Sequence, residues 1–260
     1  MGRLGAYAHA ARSLAADKLG RSGTVTSLPD GALRDALAGF DADTAVVYAG
    51  LSDVAAAFGG DPYERLADAL FASFDAILTP GFTFSFRDTG YVDLDRAPPE
   101  VGTFGRRFLA DADVRTADPV FSLLAAGDFE FDADGTRCSY APGGYWTELH
   151  DRDVLYLNVG TGRFRCSAFH VAELRHDAPY VSITAHRGVV RRDGDTHAVT
   201  HYAPTDDHYR RFAREKVAAD LGDAFRDRSV GGLRVQGCRA GAIDSLLDDR
   251  LPDDPYYLVT

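Results

Sequence analysis

The sequence is nearly without lysine. Only Lys18 and Lys216 occur among 260 residues, so almost all the positive charge is arginine. Aspartate greatly outnumbers glutamate, and 39 acidic residues against 28 basic ones give a formal net charge of -11. That balance argues against duplex DNA and anionic membranes as partners, since both require a cationic face. An acidic, aspartate-rich surface suits solvation in concentrated salt, where self-repulsion is screened, and the composition predicts a halophilic protein. It is also compatible with a cationic small substrate. Cysteine is scarce too: Cys138, Cys166 and Cys238 are widely spaced, with no CxxC pair. This disfavours a disulfide framework and a cysteine-rich zinc site, and the three read as buried free thiols. No apolar run approaches the length of a membrane span. The alanine-rich N-terminus, broken by His9, Arg12 and Asp17, reads as a surface helix over about residues 4–20 rather than a secretion signal. The expected location is the cytoplasm.

Several catalytic signatures are missing as well. Gly160 and Gly162 lie in "NVGTGRFR" without a third glycine at dinucleotide spacing. No glycine loop ends in G-K-[ST], and no HExxH occurs. His197 and His201 share a strand face at i, i+4, but no third ligand accompanies them, so no metal is expected.

What is present is an alternation of strands and helices. The β-branched run Ala45–Tyr48 reads as a buried strand feeding a loop. "DPYERLADALFASF" offers an N-cap in Asp61, proline at the first helical position, and apolar spacing at Leu66, Leu70 and Phe74. A strand and a Pro-Gly turn follow in "DAILTPGFTFSF", so this strand, helix, strand order favours a parallel crossover. The aspartate-rich stretch from Arg87 to Pro99 reads as a surface excursion. Further strands are expected at "DVLYLNVG", "PYVSITAHRGVVRR", "GGLRVQGC" and the terminal "PYYLVT". Helices are expected at "TFGRRFLA", from Ser167, from Thr205 with Asp206 and Asp207 in the first turn, and after Cys238. The fold class is α/β: one domain over residues 1–260, with a central mixed β-sheet and helices on both faces in α/β/α layers.

Taken in order, several segments resemble the aminoglycoside N3-acetyltransferase family. They are "VVYAGLSDV" (Val46–Val54), "LTPGFT" (Leu78–Thr83), "PPEVGTFGRRF" (Pro98–Phe108), "RTADPVFSLLAAG" (Arg115–Gly127), "LNVGTGRFRCSAFHVAE" (Leu157–Glu173) and "GGLRVQGCRAGAIDSLLDD" (Gly231–Asp249). The chain departs from the family at Tyr48 and Asp118, where histidine is usual, and at Gly50, where serine is usual.

The resemblance implies transfer of an acetyl group from acetyl-CoA to an amine of an aminoglycoside or amino-sugar-like acceptor, without a metal. His170 falls on the family's general base. A substrate ammonium has no lone pair, so an imidazole must take its proton as the carbon–nitrogen bond forms. The family's glutamate about thirty residues downstream is missing from "HAVTHYAPTDDHY". The partner carboxylate is therefore open among Asp206, Asp207 and Glu173, with His201 as a further substitute. The resemblance assigns CoA binding to Gly50, Leu51, Ser52, Arg115, Ser122 and Ser167, and the acidic middle loop offers Asp88, with Asp93 and Asp95, to a cationic acceptor. It leaves a homodimer open. Two other readings compete: a CoA- or sugar-binding relative that has lost catalysis, and a cysteine hydrolase using Cys166.

Overall fold

The computed structural model describes residues 25–133, 137–206 and 212–260. The N-terminal helix expected over about 4–20 lies outside them, as does Asp207.

Seven strands form the central sheet: β1 (Thr44–Ala49), β2 (Ala76–Pro80), β4 (Val114–Arg115), β5 (Leu123–Gly127), β6 (Leu155–Val159), β9 (Arg226–Val230) and β10 (Leu233–Arg239). Their order is β4-β5-β2-β1-β6-β10-β9. β1 is central and runs parallel to both β2 and β6, while β5 and β10 are antiparallel to their neighbours. The sheet is thus parallel at its centre and antiparallel towards its edges.

Side-chain alternation decides which face each residue serves. Ala45, Val47, Ile77, Leu155 and Leu157 enter one apolar core, whereas Val46, Ala76, Leu78 and Tyr156 enter another on the opposite face. The first core is closed by α1 (Ala32–Leu37), α2 (Leu51–Ala57), α3 (Pro62–Phe71) and α5 (Thr103–Phe108). The second is closed by α6 (Tyr145–Asp151), α7 (Ala168–Arg175), α8 (Arg214–Leu221) and α9 (Ala240–Arg250). Helix α3 begins as its residues dictate. The Asp61 carboxylate accepts from the Tyr63 N–H at 2.8 Å, Pro62 follows the cap, and Leu66 and Leu70 are fully buried.

Four local expectations are corrected. The loop expected after β1 is the first turn of α2, directly behind Gly50. The supposed excursion from Arg87 contains α4 (Phe86–Thr89) and β3 (Tyr91–Asp93), and its Phe86, Val92 and Leu94 are buried. The pattern was masked by aspartates, two of which hold the fold: Asp93 pairs with Arg191 at 3.7 Å, and Asp95 accepts from the backbone of Asp193 and Gly194. Of the helix expected from Thr205, Thr205 and Asp206 belong instead to a strand, and a helix is present over Arg214–Leu221. The terminal "PYYLVT" is a set of turns in which Val259 alone bridges to Phe212.

That strand is β8 (Asp195–Asp206), antiparallel to β7 (Val181–Arg192), with β3 on the other side of β7. Asp193 and Gly194 turn the hairpin with positive φ of 53° and 82°, the geometry that an Asp-Gly pair supplies in a two-residue turn. One face of this small sheet, carrying Val190, His201 and Ala203, is buried against the main body.

Candidate active site

Four histidines are paired with carboxylates among the described residues, and solvent access separates them. His150 meets Asp244 at 2.8 Å with its side chain 1% exposed, and His201 meets Asp118 at 3.2 Å with 5% exposed. Both rings are sealed. His176 meets Asp248 at 2.7 Å, and there the carboxylate itself is 48% exposed. His170 is the reverse case: its Nδ1 lies 2.7 Å from Glu173 Oε2, the imidazole is 30% exposed and the carboxylate only 3%. A buried acid holding an accessible ring is what a base requires. Glu173 accepts from Nδ1–H, which leaves the lone pair on Nε2, and no described residue hydrogen-bonds that nitrogen. The pair sits at i, i+3 on α7, so both side chains share one helix face.

The wall around the ring is aromatic. Tyr140, Phe212 and Phe121 lie 5.0, 5.2 and 6.3 Å from it, centroid to centroid. Tyr140 is fully buried, stacks also near Trp146, and holds a left-handed backbone at φ 64°. Such a conformation in a bulky residue is a local strain that the surrounding packing must hold in place.

A cavity of about 330 Å³ opens at the carboxyl ends of β1, β2 and β6, where α/β sheets commonly bind ligands. Its lining includes Tyr48, Gly50, Pro80, Gly105, Thr161 and Arg165. Backbone carbonyls here come so close that side chains are excluded: a Cβ on Gly50 would stand 2.1 Å from the Gly160 oxygen. Gly160 itself has φ 65°. Beyond it, Asn158 ties the loop by accepting from Thr161 Oγ1 and the Arg165 N–H and donating to the Arg165 carbonyl.

Tyr48 joins the cavity to the helix that carries His170. Its hydroxyl donates to Ser167 Oγ at 2.7 Å and accepts from the Ser167 N–H at 3.0 Å. Ser167 is the N-cap of α7, one turn before His170. Burial pushes the Tyr48 phenol well up, so it stays a protonated donor.

The residues expected to bind ligand scatter more widely. Gly50 lines the cavity, and Ser167 touches it through Tyr48. Leu51 and Ser52 open α2, where Ser52 Oγ lies 3.3 Å from Asp53 Oδ1. Arg115 and Ser122 are not in the cavity lining. The Arg115 guanidinium bonds Ser122 Oγ and the carbonyls of Leu94, Ala97 and Gly81, and Ser122 also donates to Gly81. They form a strut that clamps the β2 turn to the chain after β3. Burial pulls the Arg115 guanidinium down to about 10. Asp88 is exposed on α4. The Asp206 backbone closes β8 opposite Val181. Glu173 therefore stands at His170, and His201 and Asp118 form a separate buried pair. Asp118 also accepts from Ser139 Oγ and from the N–H groups of Val120 and Phe121. Cys166 is buried in the core, with its thiol pushed far up by that burial, which is the wrong setting for a nucleophile.

The sequence reading missed Tyr48 as a link, Tyr140, and the Asn158 loop. Only the last carried a signal, an asparagine before a glycine turn. The other two depend on contacts between residues more than twenty positions apart in the chain.

Among solved structures, apo aminoglycoside acetyltransferase AAC(3)-IVa superposes with a TM-score of 0.69 at 20% identity, covering 91% of this chain and 93% of that one. AAC-VIa bound to sisomicin gives 0.67 at 19%, covering 87% and 98%. AAC-IIIb in a binary complex with CoASH gives 0.68 at 18%, covering 87% and 97%. No curated protein matches in the sequence comparison. The sequence profile of the aminoglycoside 3-N-acetyltransferases matches residues 83–249, which span the strut, the Asn158 loop and the His170–Glu173 pair. With the shared α/β architecture, that match makes the chain an acyltransferase belonging to the aminoglycoside 3-N-acetyltransferase family.

Proposed function

We propose that the protein transfers an acetyl group from acetyl-CoA to an amine of an aminoglycoside or amino-sugar-like acceptor, with His170 as general base. The observation that carries this reading is the open imidazole held by a sealed carboxylate, one helical turn from Ser167, which the cavity-lining Tyr48 bonds. The glycine-walled cavity has the size of a small-molecule site and admits a slender, mostly apolar arm close to backbone, as a pantetheine chain requires. Tyr48, Thr79, Thr161 and Arg165 are the residues with polar side chains in its lining. Bound acetyl-CoA supplies the activated acyl group. His170 Nε2 accepts the ammonium proton as nitrogen attacks, and Glu173 fixes the Nδ1–H tautomer and stabilises the imidazolium that forms. No covalent enzyme intermediate is required, because proximity of the two reactants lowers the barrier.

The test is CoA release, read with a thiol reagent, from acetyl-CoA and a panel of aminoglycosides in concentrated KCl, the medium that the acidic composition favours. Amine-dependent release by the wild type and its loss in His170→Ala are expected. CoA binding without turnover for any amine would instead favour a catalytically inactive relative.

A further inference from the structure

Three polar atoms that are buried without a hydrogen-bond partner belong to one neighbourhood: Arg87 Nε, His186 Nε2 and the Tyr140 hydroxyl. Buried polar groups are nearly always paired, so such a cluster calls for an explanation. Arg87 lies on α4, which packs against β7, the strand that carries His186. Arg87 and Tyr140 are within electrostatic reach of one another.

The guanidinium is bracketed by aromatic rings, with Cζ 4.9 Å from the Phe121 centroid and 5.2 Å from that of Phe84. Among the described residues its single hydrogen bond runs from Nη2 to the Pro204 carbonyl at 3.5 Å, and it forms no ion pair with them. Two carboxylates act on it from a distance, Asp118 and Asp88. Asp118 is committed to His201, Ser139 and two backbone N–H groups, and Asp88 is turned to solvent. The same Phe121 ring that lies against Arg87 also lies 4.9 Å from Tyr140 and 6.3 Å from His170. A half-buried fork of N–H donors, without an ion-pair partner among the described residues, therefore stands across one aromatic ring from His170. That group has nothing to accept from an ammonium, whereas a phosphate or carboxylate matches its planar donors in pairs.

We infer that the acceptor is an amino sugar or similar small amine bearing an anionic group, phosphate or carboxylate, which Arg87 receives beside the His170 site. This rests on the proposed acetyl transfer for the identity of the acceptor, but the anion site can be tested without turnover.

Glucosamine, glucosamine 6-phosphate and muramic acid share one ring and differ in carrying no anion, a phosphate or a carboxylate. Calorimetric Kd and CoA-release KM would be measured for each with wild type, Arg87→Gln and His170→Ala. The wild type should favour one anionic sugar over glucosamine by about 10- to 100-fold, with the preferred arm naming the anion, and the ratio should collapse towards one in Arg87→Gln. His170→Ala should keep the binding preference and lose turnover. Equal binding of the three sugars, or a preference that survives Arg87→Gln, would overturn the inference. If Arg87→Gln does not fold, Arg87→Lys keeps the charge without the fork and should lose most of the preference; full retention there counts against the site equally. Absence of turnover with every amine, alongside an Arg87-dependent binding preference, would sink acetyl transfer and leave the anion site standing.

Discussion

Replacing Glu173 by glutamine isolates the charge behind the base from its shape. The carboxylate is 3% exposed and 2.7 Å from His170 Nδ1, and the amide fills the same volume and still offers an oxygen to Nδ1–H. What disappears is the negative charge that faces the imidazolium formed as the amine loses its proton. At 2.7 Å and an effective dielectric near 20 the bare attraction is about 6 kcal/mol. The ring is 30% exposed, so water screens a large part of it. A charge-assisted hydrogen bond at a site of this kind contributes about 1.5–3 kcal/mol net. At roughly 1.4 kcal/mol per decade, kcat should fall about 10- to 100-fold in Glu173→Gln. His170→Ala should lose roughly 10²–10⁴-fold. Because Glu173 acts only through His170, adding Glu173→Gln to His170→Ala should cost almost nothing more. The KM for acetyl-CoA should hold, since neither side chain lines the cavity. The assay is CoA release in concentrated KCl, with thermal melts to show that each variant folds. Wild-type kcat in Glu173→Gln, with His170→Ala inactive, would refute the pairing. Wild-type kcat in His170→Ala would refute the base itself.

Three further outcomes follow from the geometry. Gly50→Ala forces a Cβ against the Gly160 carbonyl, so it should lower stability by about 1–3 kcal/mol and weaken CoA binding by calorimetry; an unchanged Kd would remove the cavity from consideration. Cys166→Ala should keep full kcat at some loss of melting temperature, because the thiol is buried and protonated; selective loss of kcat would revive a cysteine nucleophile. Burial alone would raise the Asp118 carboxyl, but the bonds from His201, Phe121 N–H and Ser139 outweigh it and hold the group below the usual carboxylate range. Its folded pKa is thus below the unfolded one, so its stabilisation is complete above about pH 4 and fades as pH falls through the folded value. Asp118→Asn should therefore melt on the order of 10 °C lower at neutral pH, and that gap should narrow under acid conditions; a gap that is constant with pH would contradict the charged pair.

How far the sequence could be read depends on the range of each interaction. The α3 cap, the parallel β1–β2 crossover and the apolar β6 strand are local patterns, and each was legible. His170 was identified by family resemblance rather than by its own surroundings, since "SAFHVAEL" alone does not distinguish a base from a core histidine. Solvent access separates His170 from the sealed His150 and His201, and its ring packs against Tyr140 and Phe212, far from it in the chain. Arginine shows the same limit. In a chain where arginine replaces almost all lysine, nothing local separates Arg115, whose donors hold three carbonyls, from Arg87, whose donors hold one among the described residues. The partner carboxylate was left open among Asp206, Asp207 and Glu173 for a related reason. Asp206 was expected in the first turn of a helix, but Ser182–Thr205 pairing carries Thr205 and Asp206 on as β8. Glu173 was the alternative one turn away, and the i, i+3 spacing on a helix that starts at Ala168 is enough to bring it within a hydrogen bond. The shorter sequence separation was the sounder guide, because an i, i+3 contact needs only the helix, whereas a partner thirty residues downstream needs the whole hairpin to be placed correctly.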